Sequence, residues 1–126
     1  MSVRKQIHTP NAPSAVGAYS QAIEIGNFVF ISGMLPIDPV SKTIPEEVKA
    51  QAILVLSNIK AVIEAAGSAM DKVVKATVLL ADIGDFAAVN EVYATFFSKP
   101  FPARSCFAVA ELPLGAKVEV EVVAAK

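Results

Sequence analysis

The chain has 126 residues, a length that suits one domain spanning residues 1–126 with a single core. Eleven basic and twelve acidic residues leave a net charge of -1 with no basic run or stripe, which argues against duplex nucleic acid as a partner. A single cysteine excludes an internal disulfide and suits a reducing, cytoplasmic setting, the polar opening MSVRKQIHTPN does not read as a secretory signal, and no apolar run reaches membrane-spanning length.

Hydrophobic residues make up 54% of the chain and charged residues 18%. Average domains carry about 45–50% and about 25% on comparable counts. A small domain has much surface and here few polar residues to cover it, so part of that surface is expected to be buried against another copy of the chain. A site shared between subunits follows from that expectation.

Val3 to His8 predicts a first strand, and Thr9-Pro-Asn-Ala-Pro-Ser a turn-rich segment. The loop Gly17-Ala-Tyr-Ser20 leads to a strand from Gln21 to Ile25. Gly26-Asn27 breaks it, and Phe28 to Ser32 resumes as the second arm of a hairpin that Gly33 ends. Pro45, Glu46 and Glu47 suit the first turn of a helix. Its apolar face is Val48, Ala52, Val55, Leu56, Ile59, Val62 and Ile63, and Gly67 stops it.

Lys72 to Ala81 predicts a strand with Val74, Ala76, Val78 and Leu80 on one face and Val73, Lys75, Thr77 and Leu79 on the other. A second helix runs from Asp85 to Phe97, with Phe86, Val89, Tyr93, Phe96 and Phe97 as its buried stripe. A strand carrying Arg104 follows, then the turn Leu112-Pro-Leu-Gly115. The last strand, Lys117 to Ala124, alternates Val118, Val120 and Val122 with Glu119 and Glu121. The order predicts an α+β two-layer domain: one mixed sheet with both helices on one face. The uncovered face is too apolar for water and too polar for a dry core, which again points to a subunit interface.

Pro100 and Pro102 bracket Phe101 and hold the backbone extended before Arg104. A guanidinium after so stiff a segment suits a carboxylate, which its fork of donors matches. The plain alternative is a solvent-facing arginine. Glu119 is a candidate for proton transfer if an interface strips its water and raises its pKa, and Glu121 has the same facing. Cys106 shares the Arg104 face and reads as an inert thiol whose main chain is of use. Tyr19 either lines a pocket or anchors its loop. Ser32 and Gly33 offer a hydroxyl and a backbone amide to an anion, and Asn90 lies at the polar border of its helix. His8 has no companion at ligand spacing, so no metal site is expected, and no phosphate loop, serine triad or dinucleotide fingerprint is present.

Nearly the whole chain resembles the Rid (YjgF) family, whose best-known members are imine deaminases. The resemblance rests on Asn11-Ala-Pro-Ser-Ala, Gly17-Ala-Tyr-Ser-Gln-Ala22, Phe30-Ile-Ser-Gly33, Gln51 through Gly67, Asp85-Phe-Ala-Ala-Val-Asn90, Phe101-Pro-Ala-Arg-Ser105 and Leu112-Pro-Leu-Gly-Ala-Lys-Val-Glu-Val-Glu121. Ala18 departs from the family's frequent proline. The resemblance implies a chorismate-mutase-like fold in a homotrimer, with clefts between subunits and a six-stranded sheet. It implies hydrolysis of 2-iminobutanoate and 2-iminopropanoate to 2-oxo acids and ammonia, with no cofactor. Arg104 would bind the substrate carboxylate and Glu119, rather than Glu121, would activate water. Tyr19, Ser32, Gly33, Asn90 and the main chain of Cys106 would line the pocket. The alternative from the same family is a module that binds small carboxylates or proteins without turnover, including translation inhibitors and chaperone-like members.

Overall fold

The structure, a computed structural model, describes residues 3–126. Six strands, β1 (Lys5–Ile7), β2 (Ala22–Ile25), β3 (Phe28–Met34), β4 (Val73–Leu80), β5 (Ala103–Ala108) and β6 (Val118–Ala125), form one sheet in the order β1-β2-β3-β6-β4-β5. All neighbours run antiparallel except β4 and β5, so the sheet is mixed. Two helices, α1 (Val48–Ala65) and α2 (Phe86–Phe96), pack against each other, and α1 lies on β3 and β6. The expected α+β architecture, with a six-stranded mixed sheet and two helices, is what the chain adopts.

The hairpin forms because Gly26 takes φ 57, the left-handed backbone that a tight two-residue turn requires, and Ile25 then pairs with Phe28. α1 buries Ala52, Val55, Leu56, Ile59, Val62 and Ile63 against Val118, Val120 and Val122 of β6. Each large aliphatic residue so buried contributes roughly 1.5–3 kcal/mol relative to exposure. Gly67, at φ 78, ends the helix as expected.

Several expectations are corrected. The first strand is shorter than Val3 to His8, covering Lys5–Ile7. Pro45, Glu46 and Glu47 precede α1 rather than forming its first turn: Glu47 is the N-cap, and the Pro45 carbonyl accepts from Gln51 Nε2 at 2.7 Å. Gly33 does not end its strand, which runs on to Met34 through an irregularity against β6 between Ile31 and Met34. In β4 a bulge between Val73 and Lys75 shifts the pairing with β6. The extra residue reverses the facing at that end, so Val73 pairs with Ala124 and is buried whereas Val74 is exposed. In α2 Val89 and Tyr93 are buried as expected, as is Phe97 at its C-cap; Val92 joins them, Phe96 is half-buried and Phe86 stays exposed.

The second face of the sheet carries no helix. Phe28 and Phe30 are 45% and 47% exposed on it, and Phe107 is 48% exposed. Lys75 donates from Nζ to Ser105 Oγ at 3.2 Å across the same face.

Candidate active site

Arg104 pairs with Ala76, whose side chain points to the helices, so the guanidinium reaches α2. There its Nη1 donates to Asn90 Oδ1 at 2.7 Å. Its Cζ lies 4.7 Å from the centroid of the Tyr93 ring and 5.5 Å from that of Phe86. Two aromatic faces and one amide thus hold the fork, and among the described residues Arg104 has no carboxylate partner. A cavity of about 460 Å³ opens beside it, lined by Asn90, Tyr93, Ala94, Phe101, Pro102 and Arg104. Phe101 and Pro102, which stiffen the approach to β5, form part of that wall. The Tyr93 hydroxyl is buried without a hydrogen-bond partner among the described residues, and burial raises its pKa against the opposing pull of Arg104.

Cys106, two residues on, turns to the same side and packs against the core. Burial pushes its thiol up despite Arg104, so the thiolate is disfavoured. That agrees with the reading of an inert side chain.

Glu119 lies elsewhere. It pairs with Leu79 on the helix-free face and lines a second cavity of about 370 Å³ with Tyr19, Ser32, Gly33 and residues of three loops. Burial, and then the charge of Glu121, raise the Glu119 pKa above the ordinary glutamate value. A Cβ at position 33 would overlap Glu119 Oε2, so only glycine leaves the carboxylate its place. Glu121 is separated from this group: it is exposed and lines a third cavity with Phe30, Lys75 and Thr77.

Hydrogen bonds define what the second cavity can offer. Ser32 donates its hydroxyl proton to the Ser20 carbonyl at 2.6 Å and its backbone N–H to the Gln21 carbonyl at 3.0 Å. Both its donors are committed, so its hydroxyl presents acceptor lone pairs rather than a donor for an anion. Tyr19 Oη accepts from the Val16 N–H at 3.3 Å, which leaves its own proton free to donate.

Three buried amides support these walls and were missed from sequence. Gln21, 2% exposed, accepts from the Thr9 N–H at 2.8 Å and donates to the Thr9 and Pro13 carbonyls at 3.1 and 2.8 Å. Asn58 donates to the Leu35 and Ile37 carbonyls, and Gln51 Oε1 accepts from the Lys117 N–H. Pro13, Leu35 and Ile37 all line the Glu119 cavity. A signal existed for two of them: Gln51 and Asn58 fall on the same helical row as Val55 and Val62.

One chain therefore brings Arg104, Asn90 and Cys106 together at one side and Tyr19, Ser32, Gly33 and Glu119 at the other. Arg104 aligns through Ala76 with Val122, and Glu119 aligns through Leu79 with Phe107. Two strand spacings and three residues of rise put their Cα atoms roughly 14 Å apart, on opposite faces of the sheet.

The family model for endoribonuclease L-PSP matches residues 9–126. The chain belongs to that family, the Rid family. It is 52% identical to the RutC family protein y4sK of Sinorhizobium fredii, covering 93% of this chain and 94% of that one. It is 46% identical to the 2-iminobutanoate/2-iminopropanoate deaminase of Salmonella typhimurium, covering 97% and 98%. Among solved structures, RidA from an Antarctic Psychrobacter superposes with a TM-score of 0.94 at 48% identity, covering 97% of this chain and 99% of that one. E. coli TdcF with bound serine superposes with a TM-score of 0.93 at 42% identity, covering 97% and 98%. Relatives named for imine deamination and relatives with only a family name are thus about equally similar, so the family is fixed more firmly than the reaction.

Proposed function

We propose that the protein hydrolyses 2-imino acids such as 2-iminobutanoate and 2-iminopropanoate to 2-oxo acids and ammonia, in clefts between neighbouring copies of a homotrimer. The observation that carries this reading is the pair of complementary half-sites: a restrained guanidinium with no carboxylate partner among the described residues, and a partly buried carboxyl far from it on the opposite face. A four-carbon substrate is much shorter than their separation within one chain. A cyclic arrangement, in which the Arg104 side of one copy meets the Glu119 side of the next, places both on one substrate. The exposed Phe28, Phe30 and Phe107 supply apolar surface for such an assembly.

In that cleft Arg104 grips the substrate carboxylate and fixes the imine carbon. Glu119 takes a proton from water as the oxygen adds to the carbon of the protonated imine, giving a neutral carbinolamine. The protonated Glu119 then delivers its proton to the amino nitrogen; its carboxylate takes the hydroxyl proton as the C–N bond breaks, so that ammonia leaves and the neutral C=O forms. A carboxyl with a raised pKa is suited to both directions of that transfer. Tyr19 has a hydroxyl proton available for the substrate, and the Ser32 lone pairs can accept from the imine or departing ammonia N–H. Among the described residues no cluster of His, Cys, Asp and Glu side chains could hold a metal ion, and the step as written uses none.

Semicarbazide trapping of the imine formed by threonine dehydratase tests the reading. Two charge-assisted hydrogen bonds from Arg104, at about 1.5–3 kcal/mol each, correspond to roughly 10²–10⁴-fold in kcat/KM. Arg104→Ala is expected to lose at least the lower end of that range while remaining assembled. Trapping suppressed equally by parent and variant would sink the assignment of Arg104. A second reading, carboxylate binding without turnover, is favoured by the Arg104 cavity, which one chain forms without Glu119, and by the serine bound to TdcF. Saturable binding of 2-oxobutanoate with no effect of the parent protein on trapping would select it.

A further inference from the structure

The short turn Pro113–Gly115 forms part of the rim of the Glu119 cavity. Leu114 within it has φ 58 and ψ 23, the left-handed region, followed by Gly115 at φ 69. A branched side chain is disfavoured there, and glycine or asparagine would serve the turn better. Leu114 is also 74% exposed, so the core gives no reason for a large apolar residue. Leu114 nevertheless lines the cavity, as does Val16, which is 79% exposed. Met34, Leu35 and Ile37 are further apolar residues of the same lining. Among the residues lining the cavity, Glu119 is the only carboxylate, and no lysine or arginine lines it.

We infer that Leu114 is a specificity residue: it is held at the mouth of the Glu119 cavity to contact the aliphatic side chain of a 2-imino acid. This rests on the imine-hydrolase reading above. The reacting carbon sits near Glu119, and the substrate side chain extends along the wall from Leu114 to Ile37. The lining of this cavity, about 370 Å³ in one chain, is mainly apolar and suits an aliphatic group longer than methyl or ethyl. The preferred substrates are then imino acids with branched aliphatic side chains. Acidic side chains are disfavoured along this wall, which carries no lysine or arginine, while the neighbouring copy's Arg104 is committed to the substrate carboxylate.

The test compares 2-iminopropanoate with 2-imino-4-methylpentanoate, each generated in place by an amino-acid oxidase and trapped with semicarbazide. The parent, Leu114→Gly, Leu114→Asn and Leu114→Met are measured alongside. The parent is expected to favour the larger imine. Leu114→Gly and Leu114→Asn are expected to lower the ratio of kcat/KM for the larger over the smaller by about tenfold, the low end for apolar contacts at a partly open wall. Leu114→Met should keep the ratio. Thermal midpoints should hold or rise in Leu114→Gly, since glycine relieves the left-handed turn. A purely structural role would lower the midpoint and leave the ratio alone. A ratio unchanged within twofold in folded Leu114→Gly overturns the inference, as does an equal fall for both substrates with loss of assembly. A parent that accelerates neither imine overturns the hydrolase reading and this inference together, whereas an active parent with an unmoved ratio overturns this inference alone.

Discussion

Mixing two inactive variants tests whether the site is shared between chains. Arg104→Ala removes the clamp and leaves Glu119. Glu119→Gln removes the proton carrier and leaves Arg104. Within one chain these residues are on opposite faces of the sheet and roughly 14 Å apart, so neither variant can repair itself. If each cleft draws its arginine from one copy and its carboxyl from the next, random reassembly of equal amounts restores some clefts. Half the copies supply an intact arginine and half an intact carboxyl, so about a quarter of the clefts hold both. The two purified proteins would be unfolded together, refolded, and assayed by semicarbazide trapping, with native mass spectrometry confirming mixed assemblies. Activity should peak at equal mixing near a quarter of the parent's and fall toward either pure variant. Activity that stays at the level of the separate variants at every ratio, with mixed assemblies present, refutes the shared site.

The acid limb of the pH profile reports Glu119. Water activation needs the carboxylate, so activity falls as pH drops through the Glu119 pKa, which burial and Glu121 hold above the ordinary value. Glu121→Gln removes the smaller of those two causes, so the limb should move to lower pH while the plateau holds; a limb that stays put or moves up contradicts the assignment. Gly33→Ala sets a Cβ against the Glu119 carboxylate and should cut kcat at least tenfold, with Ser32 and Tyr19 untouched; parent-like turnover would mean that Glu119 works from another position. Gln21→Leu leaves the buried Thr9 N–H unpaired and should cost about 2–4 kcal/mol in urea unfolding; an unchanged midpoint would mean that another group or water replaces the amide.

Local patterns in the sequence carried much of the fold. The Gly26-Asn27 break, the apolar row of α1 and the alternating valines of β6 each depend on residues a few positions apart, and each appears as expected. Facing in β4 failed because a bulge is an insertion relative to a partner strand, and β6 lies some fifty residues away in the chain. Gly33 looked like a terminator because the reason for it is the carboxyl of residue 119, brought close only by β3–β6 pairing. Arg104 and Glu119 were both legible as residues with chemistry to do. Their placement on opposite faces was not, because it depends on register across three strands. Gln21 looks like a surface residue until the loop carbonyls it binds are known, whereas Gln51 and Asn58 could have been placed inside by their helical row.

β5, the strand that carries Arg104, lies at the rim of the sheet with β4 as its only neighbour among the described residues. Six residues of extended chain there keep one side of their peptide groups without a ladder partner, beside an exposed Phe107. Such a rim recruits whatever strand it meets first. In the proposed assembly a neighbouring copy would cover it, so keeping copies together would also guard against disordered clumping. Variants that loosen the contacts between copies are therefore expected to turn solutions cloudy well before the individual fold melts, and light scattering would register their failure sooner than circular dichroism.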